Sequence, residues 1–312
     1  MKLFKNIKNW LENQEHLFYL FLFILIVPNL VLCLTEPLPL MAKVCNVLLP
    51  FGCYYLLMTL SRNCGKMLWI LFLFLFFGAF QIVLLYLFGQ SIIAVDMFLN
   101  LVTTNSSEAL ELLDNLTPAI IAVIVLYVPA LILGTISIVR KRKLTAEFIR
   151  RERKRASIVF GISLLSLVGA YVQDPGYELK SDLYPLNVCY NVGLAFQRTA
   201  LTQNYHRTSK DFTFHALPTH PKEKREVYVM VVGETSRALN WQLYGYERET
   251  TPLLSRQSGL IAFPKVLTES NTTHKSVPML MSDATACNYD SIYHQKGIIT
   301  AFKEAGFRTA FF

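Results

Sequence analysis

A cluster of hydroxyl residues ahead of a short apolar stretch is where this sequence could do covalent chemistry. Thr268-Glu-Ser-Asn-Thr-Thr273-His-Lys-Ser-Val-Pro278 follows an apolar run over 260–267, and 276–281 is apolar enough to continue as a helix. A threonine at such a strand-to-helix turn stands beside exposed N–H groups and the positive end of the helix dipole. That setting favours an anion, a phosphoryl group among them. Thr273 is therefore a candidate nucleophile, of the kind a nearby metal would activate by lowering the hydroxyl pKa. Thr272 and Thr273 also suit an ordinary helix start, and His274 reads as a packed or exposed neighbour. Upstream, Glu226-Val-Tyr-Val-Met-Val-Val232 is a β-branched run that ends in Gly233-Glu234-Thr235. Ligands of open α/β sheets gather at the carboxyl ends of strands. Glu234 at such an end is a candidate metal ligand, with a turn or cap residue as the alternative.

A third constellation lies far from these two. Asn100, Thr104 and Glu108 are spaced i, i+4, i+8 in a segment that reads as a helix, so they share one face. That stripe could hold a lipid headgroup, or be the solvated face of a helix lying at a membrane surface.

The elements that must position these residues are mostly apolar. Hydrophobic residues make up 53% of the 312 and crowd into the first 173. Five stretches are long enough to cross a bilayer: 17–34, 44–60, 67–89, 118–139 and 157–173. The first lies too deep in the chain, and is followed by too many others, to be a cleaved signal peptide. The connecting charges set the orientation. Lys2, Lys5 and Lys8 precede the first span, and Arg62 and Lys66 lie between the second and third. Nine Lys/Arg fall between Arg140 and Arg155, whereas 90–117 has no Lys or Arg. Basic loops stay in the cytoplasm, so the N-terminus is expected inside and everything after 173 outside. The net charge of +8 is thus a membrane anchor rather than a nucleic-acid footprint. The six cysteines make no disulfide framework and no CxxC metal spacing, and a Cys189–Cys287 pairing stays open.

The expected organisation is a transmembrane domain over 1–173, a bridging segment over 174–221 containing an amphipathic helix at 185–209, and an α/β segment over 222–312. In the last part, 297–306 reads as a helix and 307–312 as a third strand.

Two blocks in this part carry a resemblance. Val231-Val-Gly-Glu234-Thr-Ser-Arg-Ala238 and Tyr244-Gly-Tyr-Glu-Arg-Glu-Thr-Thr-Pro252 resemble motifs of the phosphoethanolamine transferases of the alkaline phosphatase–sulfatase superfamily. The spacing onward to Thr273-His-Lys-Ser-Val-Pro278 fits as well, and five spans before an outward catalytic domain is that family's layout. The resemblance is close over 229–282 and loose over the rest. It implies an α/β sulfatase-like fold, a zinc cofactor, Glu234 as first zinc ligand, and Thr273 as zinc-touching nucleophile. It also implies that Asn100, Thr104 and Glu108 lie near the lipid substrate. The implied reaction moves phosphoethanolamine from phosphatidylethanolamine to lipid A or another envelope glycolipid, in the inner membrane with the catalytic segment periplasmic. Where the lipid A branch brackets the nucleophile with cysteines, this chain has Glu269 and Met279, which leaves the acceptor open. The family's remaining zinc ligands, an Asp-His pair and further histidines, come after position 312. The chain as given is therefore expected to be inactive, or to be a fragment of a longer protein. Two other readings are a phosphoglycerol transferase of the lipoteichoic acid synthase type, which the Arg237, Tyr244 and Pro252 pattern disfavours, and a non-catalytic membrane remnant.

Overall fold

The computed structural model describes residues 10–88, 94, 106–219, 225–233, 236–270 and 272–312, with backbone only for 88 and 106–115. The chain forms two compact units, Met1–Phe196 and Gln197–Phe312.

The first unit is helical: α1 Gln14–Thr35, α2 Leu40–Met58, α3 Cys64–Ile70, α4 Phe72–Phe88, α5 Ser106–Val139, α6 Ala146–Gln173 and the start of α7 Leu186–Gln203. Four of these stretches are long and apolar enough to cross a membrane, and five if α3 and α4, bent by 63°, form one broken span. α2 packs on α1 and α6, while α3 and α4 pack on α5. Leu17, Phe18, Tyr55, Met58, Leu68 and Phe148 form the shared core. Outward, apolar side chains face no protein. Ile121, Val125 and Leu165 are 56%, 67% and 71% exposed. Surface of this kind is costly in water and at home against lipid tails.

Caps and loop bonds bring alternate ends together. α1, α3 and α6 begin at Asn13, Asn63 and Thr145, whose side chains accept from Glu15 N, Lys66 N and Phe148 N. The loops before them are joined to one another. Leu144 N donates to Arg62 O at 2.7 Å, and Arg142 Nη1 donates to Glu12 O at 3.1 Å. The opposite ends meet through a buried polar cluster. Asn29 Nδ2 donates to the carbonyls of Asn46 and Tyr184, each at 2.8 Å, and Asn46 Nδ2 donates to Asp182 O at 2.6 Å. The Tyr177 hydroxyl donates to Asn46 Oδ1 at 2.5 Å. The described basic loops around Arg62 and Arg142 thus meet at one end of the bundle, beside the start of α1.

Some expectations need restating. The 67–89 span breaks at Leu71. The helix expected over 100–113 runs, from Ser106 on, straight into the 118–139 span as α5. Among the described residues no strand forms: 226–232, 260–267 and 307–312 have no regular secondary structure, and Val227, Val229 and Val231 stand 73%, 80% and 85% exposed. A strand is stable only through ladder bonds to a neighbour, and none of these segments finds one. Cys189 and Cys287 are both free thiols.

Candidate functional site

The second unit is organised around α8 Thr273–Met281 and α9 Ile298–Glu304. Gly297 joins them closely: a Cβ there would lie 2.9 Å from Met281 O, so only glycine fits without a shift. Thr272 is the N-cap of α8 in extended conformation, but its side chain does not cap the helix. Its hydroxyl lies 3.3 Å from Ser270 Oγ, and Thr268 Oγ1 donates to Ser270 O at 2.8 Å. The hydroxyl cluster thus folds on itself and leads the chain into the helix. Thr273 occupies the first turn of α8 and is exposed to solvent.

Beside this turn lies a cleft of about 540 Å³, lined among others by Arg198, Glu269, Ser270, Lys275, Met279 and Tyr289. Glu269 is committed to accepting from Ala286 N. The Arg198 guanidinium sits 6.0 Å from the centroid of the Tyr289 ring, whose hydroxyl donates to His274 O at 3.4 Å. Two cations thus face one engaged carboxylate, which suits an anionic group. Burial pushes the Tyr293 phenol up, and the Arg198 charge pulls it the other way.

The motif block before α8 is a stapled turn. Thr250 Oγ1 donates to Asn240 O at 2.6 Å and accepts from Gln242 N at 3.0 Å, and Thr251 Oγ1 accepts from Leu243 N at 3.1 Å. Gly245 has φ of 96°, which a side chain rarely adopts, and Pro252 opens the turn Pro252–Ser255. The threonines of this block therefore do structural work.

Glu234, Asn100 and Thr104 lie outside the described residues, and Glu108 is described by its backbone alone, in α5. Lys275 and Arg198 were not singled out from the sequence. The only sequence signal for Lys275 is its place two residues after Thr273. Among the described residues no three His, Cys, Asp or Glu side chains converge to hold a metal. A catalytic zinc site usually needs three protein ligands. These residues therefore do not by themselves make up the implied zinc site.

Comparison with known proteins narrows the class. Residues 226–312 match the sulfatase family. Over parts of the chain there is similarity to proteins named phosphoethanolamine or phosphatidylethanolamine transferases. It is 37% identical over 95 residues to phosphoethanolamine transferase EptA of Escherichia coli (strain K12), which covers 30% of this chain and 17% of that protein. Phosphatidylethanolamine transferase Mcr-1 of Escherichia coli is 30% identical over 135 residues, 41% of this chain and 24% of that protein. Phosphoethanolamine transferase CptA of Salmonella typhimurium is 30% identical over 94 residues, 29% of this chain and 16% of that protein. The chain thus spans less than a quarter of the length of each of these relatives. No solved structure matches.

Proposed function

We propose that this chain is the membrane anchor and nucleophile-bearing part of a phosphoethanolamine transferase. The observation that carries the reading is the position of Thr273. It is exposed in the first turn of α8, beside a cationic cleft and inside the segment that matches the sulfatase family. In the first step Thr273 Oγ attacks the phosphorus of phosphatidylethanolamine. The Oγ–P bond forms, the P–O bond to diacylglycerol breaks, and the threonine proton ends on the departing diacylglycerol oxygen. In the second step an oxygen of lipid A or another envelope glycolipid attacks the phospho-threonine and restores the hydroxyl. The helix N-terminus and the charges of Lys275 and Arg198 stabilise the phosphoryl oxygens throughout.

In this reading the runs 226–232, 260–267 and 307–312, unpaired among the described residues, become strands of an α/β sheet when partner strands flank them, and Glu234 follows the first. Zinc is the cofactor, with Glu234 and Thr273 among its contacts, and Asn100, Thr104 and Glu108 lie against the donor lipid. The basic end of the helical unit is cytoplasmic, and 174–312 is periplasmic. The domain limits of this reading are near 173 and 221, the latter among residues 220–224, which lie outside the described residues.

Diacylglycerol release from phosphatidylethanolamine tests this reading. Thr273→Ala should lower it by roughly a thousandfold or more, as for loss of a nucleophile elsewhere. Unchanged release from the variant would remove Thr273 from the chemistry. Release from phosphatidylglycerol in preference to phosphatidylethanolamine would favour the phosphoglycerol transferase reading instead.

A further inference from the structure

At the basic end of the helical unit a cleft of about 680 Å³ opens between Arg62 and the first turns of α6. Its lining includes Arg62, Glu147, Arg150, Arg153, Lys154 and Ser157, four cations against one carboxylate. The basic residues of this stretch divide into two sets. Arg151 and Arg155 turn to the buried Glu152, with N–O distances of 2.9 and 3.0 Å, and the Tyr55 hydroxyl completes that carboxylate at 2.5 Å. Arg62 and Arg153 face the cleft and are steadied by backbone. Arg62 Nε donates to Leu144 O at 2.9 Å, and Arg153 Nη2 donates to Thr59 O at 2.7 Å. Arg150 and Lys154 make no hydrogen bond or ion pair among the described residues. Two fixed cations and two uncommitted ones therefore meet in one cleft, at the start of a long helix.

The same helix face says what kind of anion fits. Positions 150, 154, 158 and 162 follow at i, i+4 spacing, so Arg150 and Lys154 are succeeded by Ile158 and Ile162 and then by Leu165. These three are 56%, 53% and 71% exposed. Gly161 lies between them, and a Cβ built there meets nothing within 4 Å. A cationic cleft thus opens onto a bare apolar track within a helix that is long and apolar enough to cross a membrane. A soluble anion would use the cleft and leave the track empty, whereas a phospholipid uses both.

We infer that this cleft binds the headgroup of an anionic phospholipid, one whose phosphate is not offset by its own ammonium group, with an acyl chain along Ile158, Ile162 and Leu165. The site does not depend on the transfer reaction, and its test is separate from it. The full chain, delipidated in detergent, is offered phosphatidylglycerol or phosphatidylcholine and the bound lipid is counted by native mass spectrometry. Wild type should retain phosphatidylglycerol preferentially. The double variant Arg150→Gln, Lys154→Gln removes two surface charges whose side chains hold no partner among the described residues, and should weaken that retention roughly 30-fold. Equal retention by wild type and variant, or equal uptake of the two lipids, would overturn the inference. Displacement of phosphatidylglycerol by soluble glycerol phosphate at comparable concentration would make this a soluble-anion site and overturn the lipid assignment. Reductive methylation of Lys154 in the unmodified chain gives a readout independent of variants. Phosphatidylglycerol should slow it and phosphatidylcholine should not, and equal rates would contradict the site.

Discussion

Thr273 and its neighbours divide the labour that the sequence presents as one hydroxyl cluster. Ser270 and Thr272 engage each other, Thr268 holds the Ser270 carbonyl, and Thr273 stands in the exposed first turn of α8. The cation that the sequence did not single out is Lys275, which lines the adjoining cleft. If it steadies the donor phosphate, Lys275→Gln should raise the donor KM roughly tenfold while kcat changes less. A kinetic comparison on phosphatidylethanolamine checks this, and an unchanged KM would leave Lys275 without that role. Tyr293 provides a different handle. Its phenol is raised by burial, so the fold holds the neutral form. The stability it contributes is complete below the ordinary tyrosine value of about 10 and is lost as pH rises through the raised folded value. Tyr293→Phe should therefore flatten the alkaline fall in urea stability, without shifting behaviour near neutrality. An identical alkaline slope in both proteins would contradict it.

At the scale of elements, the spans were legible because twenty apolar residues between charged loops have little choice but to cross a membrane. Their caps were legible in principle too, as Asn13, Asn63 and Thr145 show. The break at Leu71 was not, since neither proline nor glycine marks it. The tight packing of α3 on α5 involves two glycines far apart in sequence: a Cβ on Gly65 would sit 2.1 Å from Gly134 O. Close backbone approach through small residues is how membrane helices associate. Gly65→Val should cost about 2 kcal/mol or more through overpacking against backbone. A Cβ on Gly134 would press on the tip of Leu68 at 3.1 Å and meet the Gly65 backbone at an ordinary 3.6 Å, so Gly134→Ala should be tolerated far better. Thermal melts of the two variants in detergent separate these cases, and equal melting would show that this contact does not hold α3 in place. The strand-like runs failed for the opposite reason. Their composition was plain, but pairing needs ladder bonds, and none forms among the described residues although the Tyr228 and Phe307 rings meet at 5.8 Å.

For the whole molecule, two units with unlike surfaces carry unlike work. The helical unit leaves part of its apolar surface outward and brings the described basic loops around Arg62 and Arg142 to one end. The Gln197–Phe312 unit carries the sulfatase match, the hydroxyl cluster and the cationic cleft. Order along the chain was readable because hydropathy and motif blocks are local properties. The convergence of Arg198, Lys275 and Tyr289 was not, because it joins residues up to 91 positions apart. The central claim is that Thr273 takes the phosphoethanolamine group, and intact-mass spectrometry after incubation with phosphatidylethanolamine and zinc tests it most directly. The wild-type chain, or a version extended past residue 312, should gain one phosphoethanolamine mass that maps to Thr273, and Thr273→Ala should gain none. An adduct that persists in the variant, or none on either length of chain, would contradict the account.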